Sequence, residues 1–274
     1  MELDVNELFF WEPFLFEDTP FAINRVVVLM ILGSIVTMAF FLAGSRRGSL
    51  VPKGIRGIAE TAYLFVRNQI AIDMMGPKEG ARYAPYLVTV FFFIFFMNLM
   101  EIVPGINFPV TSRMAIPAAL AVLTYIIFNV AGMIRQGPLK YFKNTVVLPG
   151  VPVIIQPLMI LIEIFSTFIF RPLTLAIRLF ANMMAGHVLL TIFFLFSADF
   201  VALDITLPLG ILTALIASVL ILFELLVITI QAYIFTMLTA FYIREAVHGH
   251  DEEHAEEHKE VPHETEGLAA QPAA

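Results

Sequence analysis

Five uninterrupted apolar stretches organise this chain, and the last two are too long to stand upright in a lipid bilayer. As continuous helices, residues 150–197 and 207–244 would measure roughly 70 Å and about 57 Å at 1.5 Å per residue. The hydrocarbon layer is only about 30 Å thick. These stretches must therefore be bent, broken or steeply tilted. Pro152, Pro157 and Pro172 permit bends, but 173–197 contains no proline. Two strongly tilted helices joined by the short turn SADFVALDITLP satisfy both facts. Residues 24–44, 84–103 and 114–134 each have the length of one upright crossing, about 20 apolar residues. Composition agrees that the solvent is mostly lipid: 59% of the 274 residues are hydrophobic and 14% charged. A soluble domain is about 45–50% apolar and about 25% charged. The expected fold is an all-α integral membrane protein with five membrane segments, three near-upright plus a long, strongly tilted helical hairpin.

The connection 45–83 carries its own pattern. Ile55, Ile58, Ala62, Phe65, Val66 and Ile70 recur at helical spacing, with Arg56, Glu60, Arg67 and Asn68 elsewhere around the wheel. This reads either as an interfacial amphipathic helix or as a short soluble helix packed on a partner. Orientation follows from basic residues in short loops. Arg46, Arg47, Lys53, Arg56, Arg67, Lys78 and Arg82 crowd the first loop, and Arg135, Lys140 and Lys143 follow the third span. The N-terminus offers Arg25 and the 104–113 loop Arg113. Residues 1–23 are thus expected to be an extracytoplasmic segment, 24–246 the membrane domain, and 247–274 a cytoplasmic tail. The acidic N-terminus lacks the basic region of a signal or transit peptide, which favours a bacterial cell (inner) membrane. The tail is acidic and holds His248, His250, His254 and His258. A metal-binding tract is one reading; a solvated, disordered tail is the plainer one. The absence of cysteine excludes disulfides and thiolate metal sites, the charge distribution excludes nucleic-acid binding, and no cofactor is expected.

Polar residues inside the spans carry the functional signal. An arginine at the bilayer centre costs about 2.5–3.5 kcal/mol on insertion scales, and RPLTLAIRLFANMMAGH contains Arg171, Arg178, Asn182 and His187. On a helix the first three share one stripe, while His187 falls about half a revolution further round from Arg178. Each also has a plain structural reading. Arg171 can snorkel or bind lipid headgroups, Arg178 can pair with a buried carboxylate such as Glu163, and a lone His187 is more often a satisfied buried histidine. On the last segment Glu224 and Gln231 share a face, opposite the polar faces of the fourth segment if the two form an antiparallel hairpin. A histidine and a glutamate brought together in mid-membrane make a proton relay, because imidazole titrates near neutrality. Asn98 and Glu101, near the outer end of the second span, add a further polar group.

MNLMEIVPG from Met97 to Gly105, RPLTLAIRLFANMMAGH from Arg171 and QAYIFTMLTAFYI from Gln231 resemble, in that order along the chain, the motifs of the a subunits of rotary (F-type) ATP synthases. VPKGIRGIAETAYLFVRNQI is similar to that family's cytoplasmic helix, and the resemblance covers roughly residues 20–246. It implies a proton-translocating stator component working against a ring of c subunits, each with one essential carboxylate, and anchored by b-type peripheral stalk subunits. Arg178 matches the family's essential arginine facing that ring. His187 and Glu224 match the outer half-channel pair, in the order found in mitochondrial-type members. Asn98, Glu101, Asn182 and Gln231 match polar residues that line or flank the channels, and Glu163 a carboxylate towards the inner half-channel. The interval from Glu163 to Arg178 is one residue longer than the family pattern, so the facing of Glu163 stays open.

Catalysis is not expected of the chain itself, and no GxxxxGK phosphate loop is present, so nucleotide is expected to bind elsewhere. The alternative is a secondary transporter with a substrate site at Arg178. Against it, five spans do not divide into equal halves and no internal repeat is evident. A purely structural scaffold would leave Arg178, His187 and Glu224 unexplained.

Overall fold

The structure, a computed structural model, describes residues 24–44, 54–147, 152, 154–202 and 207–257. The N-terminal segment 1–23, the basic residues Arg46, Arg47 and Lys53, part of the turn at 203–206 and the tail from 258 lie outside the described residues. Every extended regular element among those described is helical: α1 (Arg25–Gly44), α2 (Ile55–Val66), α3 (Asp73–Leu99), α4 (Ala115–Gln136), α5 (Pro138–Val146), α6 (Gln156–Phe165), α7 (Arg171–Ala202) and α8 (Leu207–Glu257). Five helical stretches are long and apolar enough to cross a membrane: Arg25–Gly44, Ile55–Leu99, Ala115–Gln136, Gln156–Val201 and Leu207–His248. This is the expected all-α membrane architecture. Two boundaries differ from expectation. The last helix continues to Glu257, so the part of the tail expected to be disordered begins as helix. The second stretch starts at Ile55, well before its expected start at 84, because the amphipathic segment is joined to it.

That junction shows how the sequence shapes the chain. A π-helical turn, Arg67–Ile72, links α2 to α3, and at Gly76 the backbone takes φ 75° and ψ 170°. Only glycine adopts that conformation without strain, and Pro77 follows it. The chain reverses there, so that Gly80 lies back against Ala71: a Cβ at Gly80 would fall 2.5 Å from the Ala71 carbonyl oxygen. Farther along the same pair, the rings of Phe65 and Phe91 meet at 6.1 Å between centroids. The amphipathic segment thus folds back along α3. Its buried residues are Ala59, Val66, Ile70 and Ala71, whereas Ile55 and Ile58 stay exposed.

A second π-helical turn, Ser166–Phe170, joins α6 to α7. It ends two residues before Pro172, whose ring cannot fit over a regular helical turn and whose nitrogen cannot donate. Widening the preceding turn accommodates both demands, and it explains how one apolar stretch continues through a proline. α7 and α8 then form the antiparallel hairpin. The side chain of Asn182 donates to Gln231, Gly186 abuts Glu224, and Ser197 donates to the carbonyl of Gly210 at 3.2 Å, so positions advance on one helix as they retreat on the other.

The described contacts divide the chain into two compact units, Met1–Thr124 with Pro172–Phe241, and Tyr125–Arg171 with Tyr242–Ala274. The second unit is organised around Arg171. Its guanidinium donates through Nη1 and Nη2 to Glu245, at 2.8 and 2.6 Å, and lies 5.4 Å from the Tyr242 ring centroid. It is also 3.4 Å from Glu163, whose carboxylate accepts a 2.9 Å hydrogen bond from Thr167. Forked guanidinium–carboxylate pairs are strong as well as directional. Tyr141 is buried and donates to Asn129 at 3.0 Å; burial pushes its hydroxyl up to about 12, so it remains a donor at any physiological pH. Gln136 donates to the Ala246 carbonyl at 2.8 Å and accepts from Asn144 at 3.0 Å.

Two outcomes follow from this packing. Gly80→Val drives a branched side chain into the Ala71 carbonyl, so it should destabilise the subunit by about 1–3 kcal/mol, read as a lower midpoint for its loss on heating the detergent-solubilised complex. Glu245→Ala removes the forked partner of Arg171 and leaves the longer contact to Glu163. A loss of about 1.5–3 kcal/mol is expected in the same measurement, and Glu245→Asp should recover part of it.

Candidate functional site

Arg178 lies on α7 and is exposed, and among the described residues it makes no hydrogen bond or ion pair. The reading in which it pairs with Glu163 is not realised, because Glu163 is bonded to Thr167 and Arg171. Arg171 does not snorkel freely either; it is the hub of the second unit. The stripe Arg171, Arg178, Asn182 therefore splits by role. One turn beyond Arg178, the Asn182 side chain is itself exposed and donates to the buried Gln231 of α8. The sequence placed these two amides on facing helices, and the structure brings them together beside the free guanidinium.

The opposite side of α7 is buried. Leu175, Leu179 and Met183 line it with His187. His187 is 6% exposed, and its Nδ1 lies 3.5 Å from Oε1 of Glu101, itself 4% exposed. Glu224 is 4% exposed and reaches the same place from α8, near enough to Glu101 for the two carboxylates to repel when both are charged. Its approach requires Gly186, where any Cβ would collide with the Glu224 carboxylate. A small residue immediately before the histidine is thus part of the site. The expected His187–Glu224 pair is in fact a group of three, with Glu101 as the direct neighbour of the imidazole.

Asn98 sits one helical turn before Glu101. Its side-chain carbonyl accepts a hydrogen bond from Thr111. Thr111 belongs to the loop after α3 that also contains Phe108, a fully buried ring 5.5 Å from the His187 ring and inclined at 80° to it. Sequence reading passed over both residues, since a threonine and a phenylalanine in a short loop carry no signal until the loop is known to fold inward. The alternation of Pro104, Gly105 and Pro109 with apolar residues was the only hint available.

The polar atoms of this group are not all satisfied. Asn98 Nδ2, both carboxylate oxygens of Glu101 and Oε1 of Glu224 are buried without a hydrogen-bond partner among the described residues. Buried polar groups are nearly always satisfied, and an ionised carboxylate without a donor is especially unfavourable. A run of such atoms, ending on an imidazole, can bind water and exchange protons. Its chemistry is acid–base, and no reacting carbon or phosphorus centre is implied.

Comparison with known proteins identifies the family. The family pattern described as the ATP synthase A chain matches residues 26–244. A protein of Rhodococcus erythropolis named ATP synthase subunit a is 41% identical over 233 residues, covering 84% of both chains. A Frankia alni protein of the same name is 44% identical over 232 residues, covering 84% of this chain and 80% of that one. One from Parafrankia is 40% identical over 258 residues, 93% of this chain and 87% of its own. Nothing among these relatives supports the secondary-transporter alternative. With an exposed intramembrane arginine, a buried histidine–carboxylate group and relatives matched along most of its length, the chain belongs to the ATP synthase A chain family.

Proposed function

We propose that this chain is the proton-carrying, non-rotating membrane component of a rotary ATP synthase, with two half-channels separated by Arg178. The observation that carries this reading is the state of Arg178: a permanent charge on an exposed helix face in an apolar span, without a partner in its own chain among the described residues. A guanidinium does not deprotonate at accessible pH, and a charge so placed calls for a counter-charge. The partner is a carboxylate on the adjoining ring of c subunits. Opposite charge favours the ionised form, so each ring carboxylate releases its proton on reaching Arg178 and regains one after passing it. The same fixed charge repels a proton that would cross directly between the two access paths.

Glu101, His187 and Glu224 form the outer path. Protons move among groups within hydrogen-bonding reach or one water apart, and the unsatisfied oxygens of Glu101 and Glu224 supply such positions. Asn98 flanks this group through Thr111. Asn182 and Gln231 fix the helix pair next to Arg178, and Glu163 is the carboxylate of the inner path. The chain does no nucleotide chemistry; that belongs to other subunits of the complex. In this reading it spans a bacterial cell membrane with its N-terminus outside and its C-terminus in the cytoplasm, held against the ring by b-type stalk subunits. The long hairpin of α7 and α8 lies steeply tilted along the ring.

Replacing Arg178 by alanine should abolish ATP-driven proton pumping in the reconstituted complex, read by quenching of a pH-sensitive dye; preserved pumping would exclude the mechanism. Arg178→Lys should fail as well, because an ammonium can lose its proton and lacks the planar fork. His187→Ala and Glu224→Ala should each slow proton-driven ATP synthesis at least about tenfold. If both variants turn over at the wild-type rate, the buried group serves packing alone.

A further inference from the structure

The loop between α3 and α4 is tied down far more firmly than a connection between spans requires. At its start the Arg25 guanidinium, from the first turn of α1, donates to the carbonyl of Ile106 and, at 3.5 Å, to that of Gly105. At its end Thr111 bonds Asn98, and Ser112 donates to the Pro109 carbonyl at 2.8 Å. Between these ties Phe108 and Val110 are fully buried in an apolar cluster with Val26, Leu29, Met97 and Met100, against which Val188 also packs. Asn107 takes a positive φ of 45°, a backbone conformation uncommon outside glycine. It directs the chain inward immediately before Phe108. The result is that the Phe108 ring stands nearly perpendicular to His187, 5.5 Å away.

We propose that Phe108 is a positioning residue for proton uptake: clamped by the Arg25-anchored loop, it holds the His187 imidazole with Nδ1 towards Glu101. The inference rests on the outer-path reading above and adds a residue to it. An imidazole bonded to the protein at one nitrogen can still rotate, and a relay works only when donor and acceptor are aligned. Glu101 from the end of α3 and the Phe108 ring from the loop face His187, and Glu224 from α8 stands against Gly186 and close to Glu101. Glu101 and Glu224 bring charge and titrate, and the loop brings an apolar wall. That wall fixes the ring and keeps water from reaching Nδ1 except by way of the carboxylates. Arg25 acts at one remove, through the backbone it holds.

The test uses the whole complex in liposomes, with ATP synthesis driven by an imposed potential while pH on the uptake side is varied. Phe108→Ala removes the wall; Phe108→Leu keeps most of its bulk and loses the ring, so it carries the test if the alanine variant does not assemble. Rates are expressed per assembled complex. Both variants are expected to run about tenfold slower, as misorientation at a reacting group can cost, and to show a displaced midpoint in the dependence on uptake-side pH. His187→Ala is measured alongside. If it slows turnover while Phe108→Leu matches wild type in rate and midpoint, the positioning role is overturned and the outer-path reading stands. A slower Phe108→Leu with an unmoved midpoint marks packing only and overturns it equally. If His187→Ala is itself without effect, the outer-path reading has failed, and the inference with it.

Discussion

A charge that cannot be neutralised, placed on the outside of a helix in an apolar span, is the constraint around which this molecule is arranged. Buried arginines in proteins are ordinarily paired, and Arg171 shows what that looks like here: two hydrogen bonds to Glu245, a third contact to Glu163 and a tyrosine ring alongside. Arg178 has none of these within the described chain. Two arginines seven residues apart on one helix thus stand in opposite states, one paired and one exposed. The first is satisfied from within; the second has no partner among the described residues.

Keeping Arg178 available demands that its surroundings be rigid without touching it. The Asn182–Gln231 bond joins α7 to α8 one turn away, and the apolar residues Leu175, Leu179 and Met183 bury the opposite side of α7. On that buried side the problem is reversed. His187, Glu101 and Glu224 are crowded together with carboxylate oxygens unsatisfied among the described residues, an arrangement that costs stability. Gly186 permits this crowding, and the inward-folded loop after α3 closes it from the side. Two clusters of opposite character, one exposed and permanently charged, one buried and titratable, thus share a single helix.

Much of this was legible in the sequence because lipid imposes a strong grammar. Long apolar stretches must be helices, intramembrane charges are rare enough to be conspicuous, and helical spacing says which of them share a face. Arg178, His187, Glu224, Asn182 and Gln231 could therefore be singled out, and an antiparallel hairpin would set Glu224 and Gln231 opposite the polar faces of the fourth segment; that Asn182 bonds Gln231 came from the structure. Other residues gave no such signal. Glu245 stands at the end of an apolar stretch, where a charge is ordinarily solvated, yet it is the principal partner of Arg171. Thr111 and Phe108 are ordinary loop residues until the loop is seen to fold inward.

What the sequence alone determined, then, is the solvent, the helical class and the short roster of expensive side chains, since each depends on the free energy of moving residues into hydrocarbon. Only the tertiary structure decided which charges are paired: that Glu163 goes to Arg171 and not Arg178, that Glu101 stands beside His187, and that the amphipathic segment turns back along α3 at Gly76. Those choices depend on contacts between residues far apart in the chain, where a shift of one helical turn exchanges one partner for another. Hydrophobicity is a property of each residue and can be read locally. Pairing is a property of the packed arrangement, and among the described residues that arrangement leaves Arg178 without a partner.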